Sequence, residues 1–166
     1  MNYNIRKITS DEYEILNDFL YEAIFIPENV QAPPKSIIQT EELQVYVRNF
    51  GQEKDDICFV AEVNRKIIGA VWVRVMNDYG HIEADVPSFA ISLYKEYRGC
   101  GIGTALMKKM LTELKERRYK KASLAVQKAN YAVKMYRSLG FEIVDENEEE
   151  YIMVYDFRIG DIGYEL

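Results

Sequence analysis

Arg98-Gly99-Cys100-Gly101-Ile102-Gly103-Thr104 stands between an apolar run at residues 89–93 and a stretch in which Ile102, Leu106, Met110 and Leu114 recur at helical spacing. That spacing predicts an amphipathic helix over residues 101–118, opening directly out of a glycine cluster. The first turn of a helix carries backbone N–H groups without intrahelical partners, and the helix dipole adds positive potential there. The glycines let the backbone approach a bulky anion, and Arg98 adds a fixed positive charge. A pyrophosphate suits that environment. A glycine turn serving only close packing is the plainer alternative. Two familiar phosphate motifs are excluded by the residues. A P-loop ends in Gly-Lys-Ser/Thr, whereas Gly103 is followed by Thr104-Ala105-Leu106. A G-x-G-x-x-G fingerprint begun at Gly101 or Gly99 ends on Leu106 or Thr104.

Outward from this loop the chain alternates strands and helices. Upstream, the patterns predict a strand at residues 3–8 and a helix from a Thr9/Glu12 capping box to about residue 25. A proline-bearing loop follows at residues 26–35, long enough to suspect of function. Next come a helix at residues 40–49 stopped by Gly51, a hairpin of strands 57–63 and 67–76, a turn at 77–80, and the strand 89–93. Downstream, a strand at 122–127 precedes a short helix marked by Ala132, Val133, Tyr136 and Leu139 and ended by Gly140. Strands at 141–144 and 151–157 flank an acidic connection at 145–150. The order implies an α/β fold, a mixed and largely antiparallel sheet with helices on both faces, as one domain over residues 1–166.

Composition narrows the partners. The chain has 166 residues, 48% hydrophobic and 29% charged, as expected of a globular domain. With 21 Lys and Arg against 27 Asp and Glu, the net charge of −6 argues against nucleic acid or an anionic membrane as partner. No apolar run reaches the roughly 20 residues that span a bilayer, and the N-terminus lacks a signal-peptide stretch. Two cysteines and one histidine make neither a disulfide scaffold nor a metal-ligand spacing. A cytoplasmic protein without a metal is the expectation.

Arg98-x-x-Gly101-x-Gly103 at a strand-to-helix junction resembles the R/Q-x-x-G-x-G/A signature of the GNAT superfamily of N-acetyltransferases. Asn130-Tyr131-Ala132-Val133-Lys134-Met135-Tyr136-Arg137-Ser138-Leu139-Gly140-Phe141 is similar to the superfamily's second pattern, an Asn, then a Tyr, then Gly-Phe. The motif likeness covers residues 89–141, and the element order extends it over nearly the whole chain. The resemblance implies a GNAT-like acyl-CoA N-acyltransferase fold that uses acetyl-CoA as cosubstrate and acetylates an amine. It further implies that the strand before the glycine loop splays from its neighbour. Backbone groups of Ile91, Ser92 and Leu93 would then meet pantetheine amides. Arg98, Gly99, Cys100, Gly101, Ile102, Gly103 and Thr104 would hold the pyrophosphate, and Asn130 would contact the pantetheine arm. Asn130 also suits a helix N-cap.

Acyl transfer from a thioester to an amine needs a neutral nucleophile and a proton for the departing thiolate. The resemblance places Tyr136 beside the sulfur as that general acid, and a phenol with a pKa near 10 is protonated beforehand. Packing alone is the competing reading, because Leu139 and Val133 share the Tyr136 stripe. The base is where the chain departs from its relatives. Some members carry Glu at the start of the strand before the glycine loop, where this chain reads Pro87-Ser88-Phe89. Ribosomal-protein N-terminal acetyltransferases carry Glu in the following strand, where this chain has Ala125. Glu83 is the first choice among Glu83, Asp85 and His81, with a water-relayed deprotonation beside them. An acyl-CoA-binding regulatory module with little turnover is the alternative function. The tail at 158–166 covers a sheet edge, meets a second subunit in a homodimer, or frays.

Overall fold

The computed structural model describes residues 2–76 and 85–159. The order begins with β1 (Asn4–Lys7), α1 (Leu16–Glu22), α2 (Glu41–Gln44), β2 (Ile57–Val63), β3 (Lys66–Arg74) and β4 (Ser88–Leu93). It continues with α3 (Ile102–Glu116), β5 (Lys121–Gln127), α4 (Ala132–Leu139), β6 (Glu142–Glu146) and β7 (Glu150–Asp156). The strands form one seven-stranded sheet in the order β1-β2-β3-β4-β5-β7-β6. Every neighbouring pair is antiparallel except β4 and β5. The mixed, largely antiparallel α/β architecture expected from the sequence is therefore the one observed.

Alternation along the strands divides the core between the two faces. Ile57, Phe59 and Ala61 of β2, with Val71 and Val73 of β3, pack under Ile102, Leu106, Met107, Met110 and Leu114 of α3. Cys58, Val60, Ala70 and Trp72 point the other way, onto Leu16, Phe19 and Leu20 of α1. Burial pushes the Cys58 thiol up, so this cysteine is an inert core residue. The Trp72 indole N–H donates to the Tyr46 carbonyl at 3.0 Å. Beside it, the Arg74 guanidinium pairs with the buried Asp56 carboxylate and donates to the Arg48 carbonyl at 2.8 Å. These polar contacts tie the segment after α2 to the sheet.

The first half differs in detail from the pattern reading. The expected first helix is a 3₁₀ segment at Ser10–Ile15 followed by the shorter α1. The second expected helix is α-helical only over α2, since later bonds such as Tyr46 N–H to the Leu43 carbonyl close tighter i→i+3 turns. A further 3₁₀ segment at Lys35–Gln39 occupies the end of the expected loop. The expected turn at 77–80, together with His81, Glu83 and the tail from residue 160, lies outside the described residues.

The entry to the first helical segment is held electrostatically. Glu12 accepts the Thr9 N–H at 2.9 Å and pairs with the Arg6 guanidinium at 2.8 Å. The Arg6 hydrogen bonds, first, and the Thr9 N–H lower its carboxyl from an ordinary 4.5 to about 2. A depressed carboxyl contributes stability that is fully present above its unfolded pKa and is lost as pH falls toward the folded one. Urea midpoints of the wild-type chain should therefore fall between about pH 4.5 and about pH 2. Glu12→Gln should remove that portion of the slope.

Candidate active site

β4 and β5 pair at one register position, Ser88 opposite Ser123, with the Ser123 N–H donating to the Pro87 carbonyl at 3.0 Å. Both serines are buried, and their hydroxyls stand 3.3 Å apart. Beyond this joint the two strands have no further pairing. Tyr94 N–H donates to the Ile68 carbonyl of the β3 side, so strand alternation turns the Ile91 and Leu93 backbone away from β3 and toward the gap. A cleft of about 710 Å³ occupies this end of the sheet.

Most of the residues singled out in the sequence border that cleft: Ile91, Ser92, Leu93, Arg98, Gly99, Gly101, Gly103, Thr104, Asn130 and Tyr136. Ser92 borders it too, although its hydroxyl donates to the Phe19 carbonyl of α1 at 2.6 Å. Two members of the stretch stand apart. Ile102 sends its side chain into the core under α3, and the exposed Cys100 thiol turns back toward the Arg98 carbonyl. Asp85, one of the three base candidates, is exposed and does not line the cleft.

Gly99 and Gly101 take φ values of +76° and +85°, the left-handed region that favours glycine. A Cβ at either position would meet no atom of the described residues within 4 Å. No side chain among the described residues caps α3, and its first bond runs from Ala105 N–H to the Gly101 carbonyl. The N–H groups of Ile102, Gly103 and Thr104 therefore have no intrahelical acceptor. A polyphosphate fits this set of donors. The Arg98 guanidinium is turned elsewhere: its Nε donates to the Leu93 carbonyl at 2.9 Å, and Nη2 reaches the Glu22 carboxylate at 3.2 Å.

Across the gap, Asn130 accepts the Ala132 N–H on its side-chain oxygen at 2.9 Å and the Val133 N–H on its carbonyl at 3.2 Å. It thus caps the start of α4 and still borders the cleft. Asn130→Ala should cost about 1 kcal/mol of stability, as for other lost caps, while Asn130→Asp keeps the acceptor. Chemical denaturation of both variants measures the difference.

One turn on, Tyr136 is 7% exposed, with its ring edge-on to Phe141 at 6.0 Å between centroids. No described residue hydrogen-bonds its hydroxyl. Burial, first, and the neighbouring Tyr131 push its phenol above the ordinary value. Tyr136 borders the cleft, and a protonated phenol without an acceptor among the described residues is an available proton donor.

Pattern reading missed one wall. Tyr21, Glu22, Ala23, Ile24, Phe25 and Ile26, at the end of α1 and just after it, line the cleft, joined by Tyr131 and Met135. The expected long loop after the first helix was a pointer to this region, beginning a few residues too late. Among the described lining residues, Glu22 alone is a carboxylate.

The acetyltransferase (GNAT) family model matches residues 14–141. The chain is 31% identical over 88 residues to the ribosomal protein bS18-alanine N-acetyltransferase of Haemophilus influenzae, covering 53% of this chain and 56% of that protein. It is 36% identical over 92 residues to an acetyltransferase of Pectobacterium atrosepticum, covering 54% and 60%. The matched stretch thus spans little more than half the length of either relative. The fold is similar to that of the PaiA N-acetyltransferase of Thermoplasma acidophilum, solved with coenzyme A. There the TM-score is 0.68 at 21% identity, over 94% of this chain and 99% of that one.

Proposed function

Because the chain belongs to the acetyltransferase (GNAT) family, we propose that it transfers an acetyl group from acetyl-CoA to a primary amine of a small molecule or peptide. The observation that carries this reading is the placement of two features in one cleft. The N-terminus of α3, with its glycine loop, and Tyr136, whose hydroxyl has no partner among the described residues, both border the cleft where β4 parts from β5.

Backbone N–H groups from Gly99 to Thr104 receive the pyrophosphate, and the helix dipole favours its charge. The backbone groups of Ile91 and the N–H of Leu93, which face the gap, pair with the pantetheine amides, and Asn130 borders the same arm. The amine attacks the thioester carbonyl directly in a ternary complex. The C–N bond forms as the C–S bond breaks, and the Tyr136 hydroxyl donates its hydrogen bond and proton to the leaving sulfur. The amine's own proton goes to Glu83 or to a water chain; no carboxylate of the described lining is free for it, since Glu22 is engaged by Arg98. No helix among the described residues is long and apolar enough to cross a membrane. A cytoplasmic enzyme working as one domain, alone or as a homodimer, is the form we propose.

A thiol-release assay with acetyl-CoA and a panel of alkylamines and short peptides tests the activity. Amine-dependent CoA production supports transfer. Binding of acetyl-CoA without turnover on any acceptor would favour the regulatory module instead.

A further inference from the structure

Three side chains at the exit of β4 reach back to α1. Ser92 Oγ donates to the Phe19 carbonyl at 2.6 Å, and the Tyr94 hydroxyl donates to Asp18 at 3.2 Å. Arg98 Nη2 donates to the Glu22 carboxylate at 3.2 Å and to the Glu22 carbonyl at 3.3 Å. The same guanidinium holds the Leu93 carbonyl through Nε at 2.9 Å. Glu22 is the last residue of α1, and the chain leaving it forms the cleft wall at residues 23–26. One planar fork therefore joins the end of β4, the glycine loop and the wall.

The charge of that fork is already balanced. A phosphate arriving at the glycine loop meets an ion pair, while the uncapped N–H groups of α3 remain as its donors. Arg98 also occupies the Leu93 carbonyl, which otherwise faces the gap. We propose that Arg98 and Glu22 are a positioning pair that fixes the 23–26 wall against the glycine loop and the end of β4, and that Arg98 is not a phosphate ligand. The inference rests on the acetyl-CoA reading of the cleft. A ligand without phosphates should feel the loss of the pair as strongly as one that has them. Lysine should not substitute, because a single ammonium cannot reproduce the planar two-sided grip.

Binding of CoA and of pantetheine, which lacks the nucleotide phosphates, measured by NMR titration on the full chain, separates the roles. Arg98→Lys, Arg98→Gln and Glu22→Ala, each with wild-type circular dichroism, should weaken both ligands by a similar factor of roughly five to ten. Arg98→Lys/Glu22→Ala should be no worse than either single variant, as for residues acting through one contact. A loss confined to CoA, full affinity in Arg98→Lys, or additive losses in the double variant would each overturn the inference. So would affinities unchanged throughout. Should Arg98→Gln fail to fold, Arg98→Lys and Glu22→Ala decide the matter. A wild-type chain that binds neither ligand overturns the acetyl-CoA reading and this inference with it, whereas a loss confined to CoA overturns this inference alone.

Discussion

Substituting Gly101 by Asp is expected to abolish the rise in melting temperature that acetyl-CoA produces in the wild-type chain. A ligand bound only by the folded state stabilises it by mass action, about 2.7 kcal/mol at a hundredfold excess over Kd. For a chain of this size that is roughly 5–11 °C. Gly101 is the residue from which α3 departs, at φ +85° with no atom of the described residues within 4 Å of where a Cβ would stand. Aspartate there places a carboxylate among the N–H groups proposed to receive the pyrophosphate. It also enters a left-handed conformation that costs an L-residue roughly 1–2 kcal/mol. Gly101→Ala separates the two effects, because it carries the backbone strain without the charge. The alanine variant should melt lower yet still respond to acetyl-CoA. The aspartate variant should not respond. NAD and ATP should shift the wild-type chain far less at equal concentration. An undiminished acetyl-CoA response in Gly101→Asp would remove the glycine loop from the binding site.

Tyr136→Phe should lower the single-turnover rate at saturating acetyl-CoA by about 10²-fold, the lower end of the range for losing a positioned acid. The lower end follows from the environment. Burial raises the phenol, so it is a firmly protonated but reluctant acid, and a thiolate with a pKa near 8.5 needs less help than an alkoxide. The ring packs on Phe141, a contact that phenylalanine retains, and the lost hydroxyl has no partner among the described residues. Stability and acetyl-CoA affinity should therefore stay close to wild type. That split between rate and affinity distinguishes proton donation from packing. A rate within about twofold of wild type, well short of the tenfold that 1.36 kcal/mol represents, would refute the acid role. A parallel loss of affinity would make Tyr136 a residue that positions the thioester.

The second half of the chain was more legible than the first, for a physical reason. Ile102, Leu106, Met110 and Leu114 are each no more than 1% exposed because α3 lies flat on a sheet, and such a helix prints its buried stripe directly into the sequence. The glycines at 99 and 101 do have positive φ, a conformation their identity alone suggests. The region from residue 9 to residue 50 has no such regularity. Its helical turns are short, several close as 3₁₀, and Trp72 and Arg74 hold it through backbone carbonyls, which leave no trace in the pattern of side chains. The wall at residues 21–26 was hidden for the same reason. Its place in the cleft depends on where α1 ends relative to β4, which is decided by contacts such as Ser92 to Phe19, more than 70 positions apart. Arg98 shows a further limit. A cation beside a glycine loop reads as an anion's partner, and only the fold reveals that Glu22 stands next to it.

The single register position joining β4 to β5 divides the backbone ladder into two ribbons, β1-β2-β3-β4 on one side and β5-β7-β6 on the other. Packing under α3 and the Ser88/Ser123 contact still bind them, but little main-chain hydrogen bonding crosses between. Such a seam marks a boundary between cooperative opening units. In native-state hydrogen exchange the two ribbons should therefore lose protection at separate free energies in the absence of ligand. A pantetheine arm laid along the seam would act as the missing ladder, merging two opening units into one.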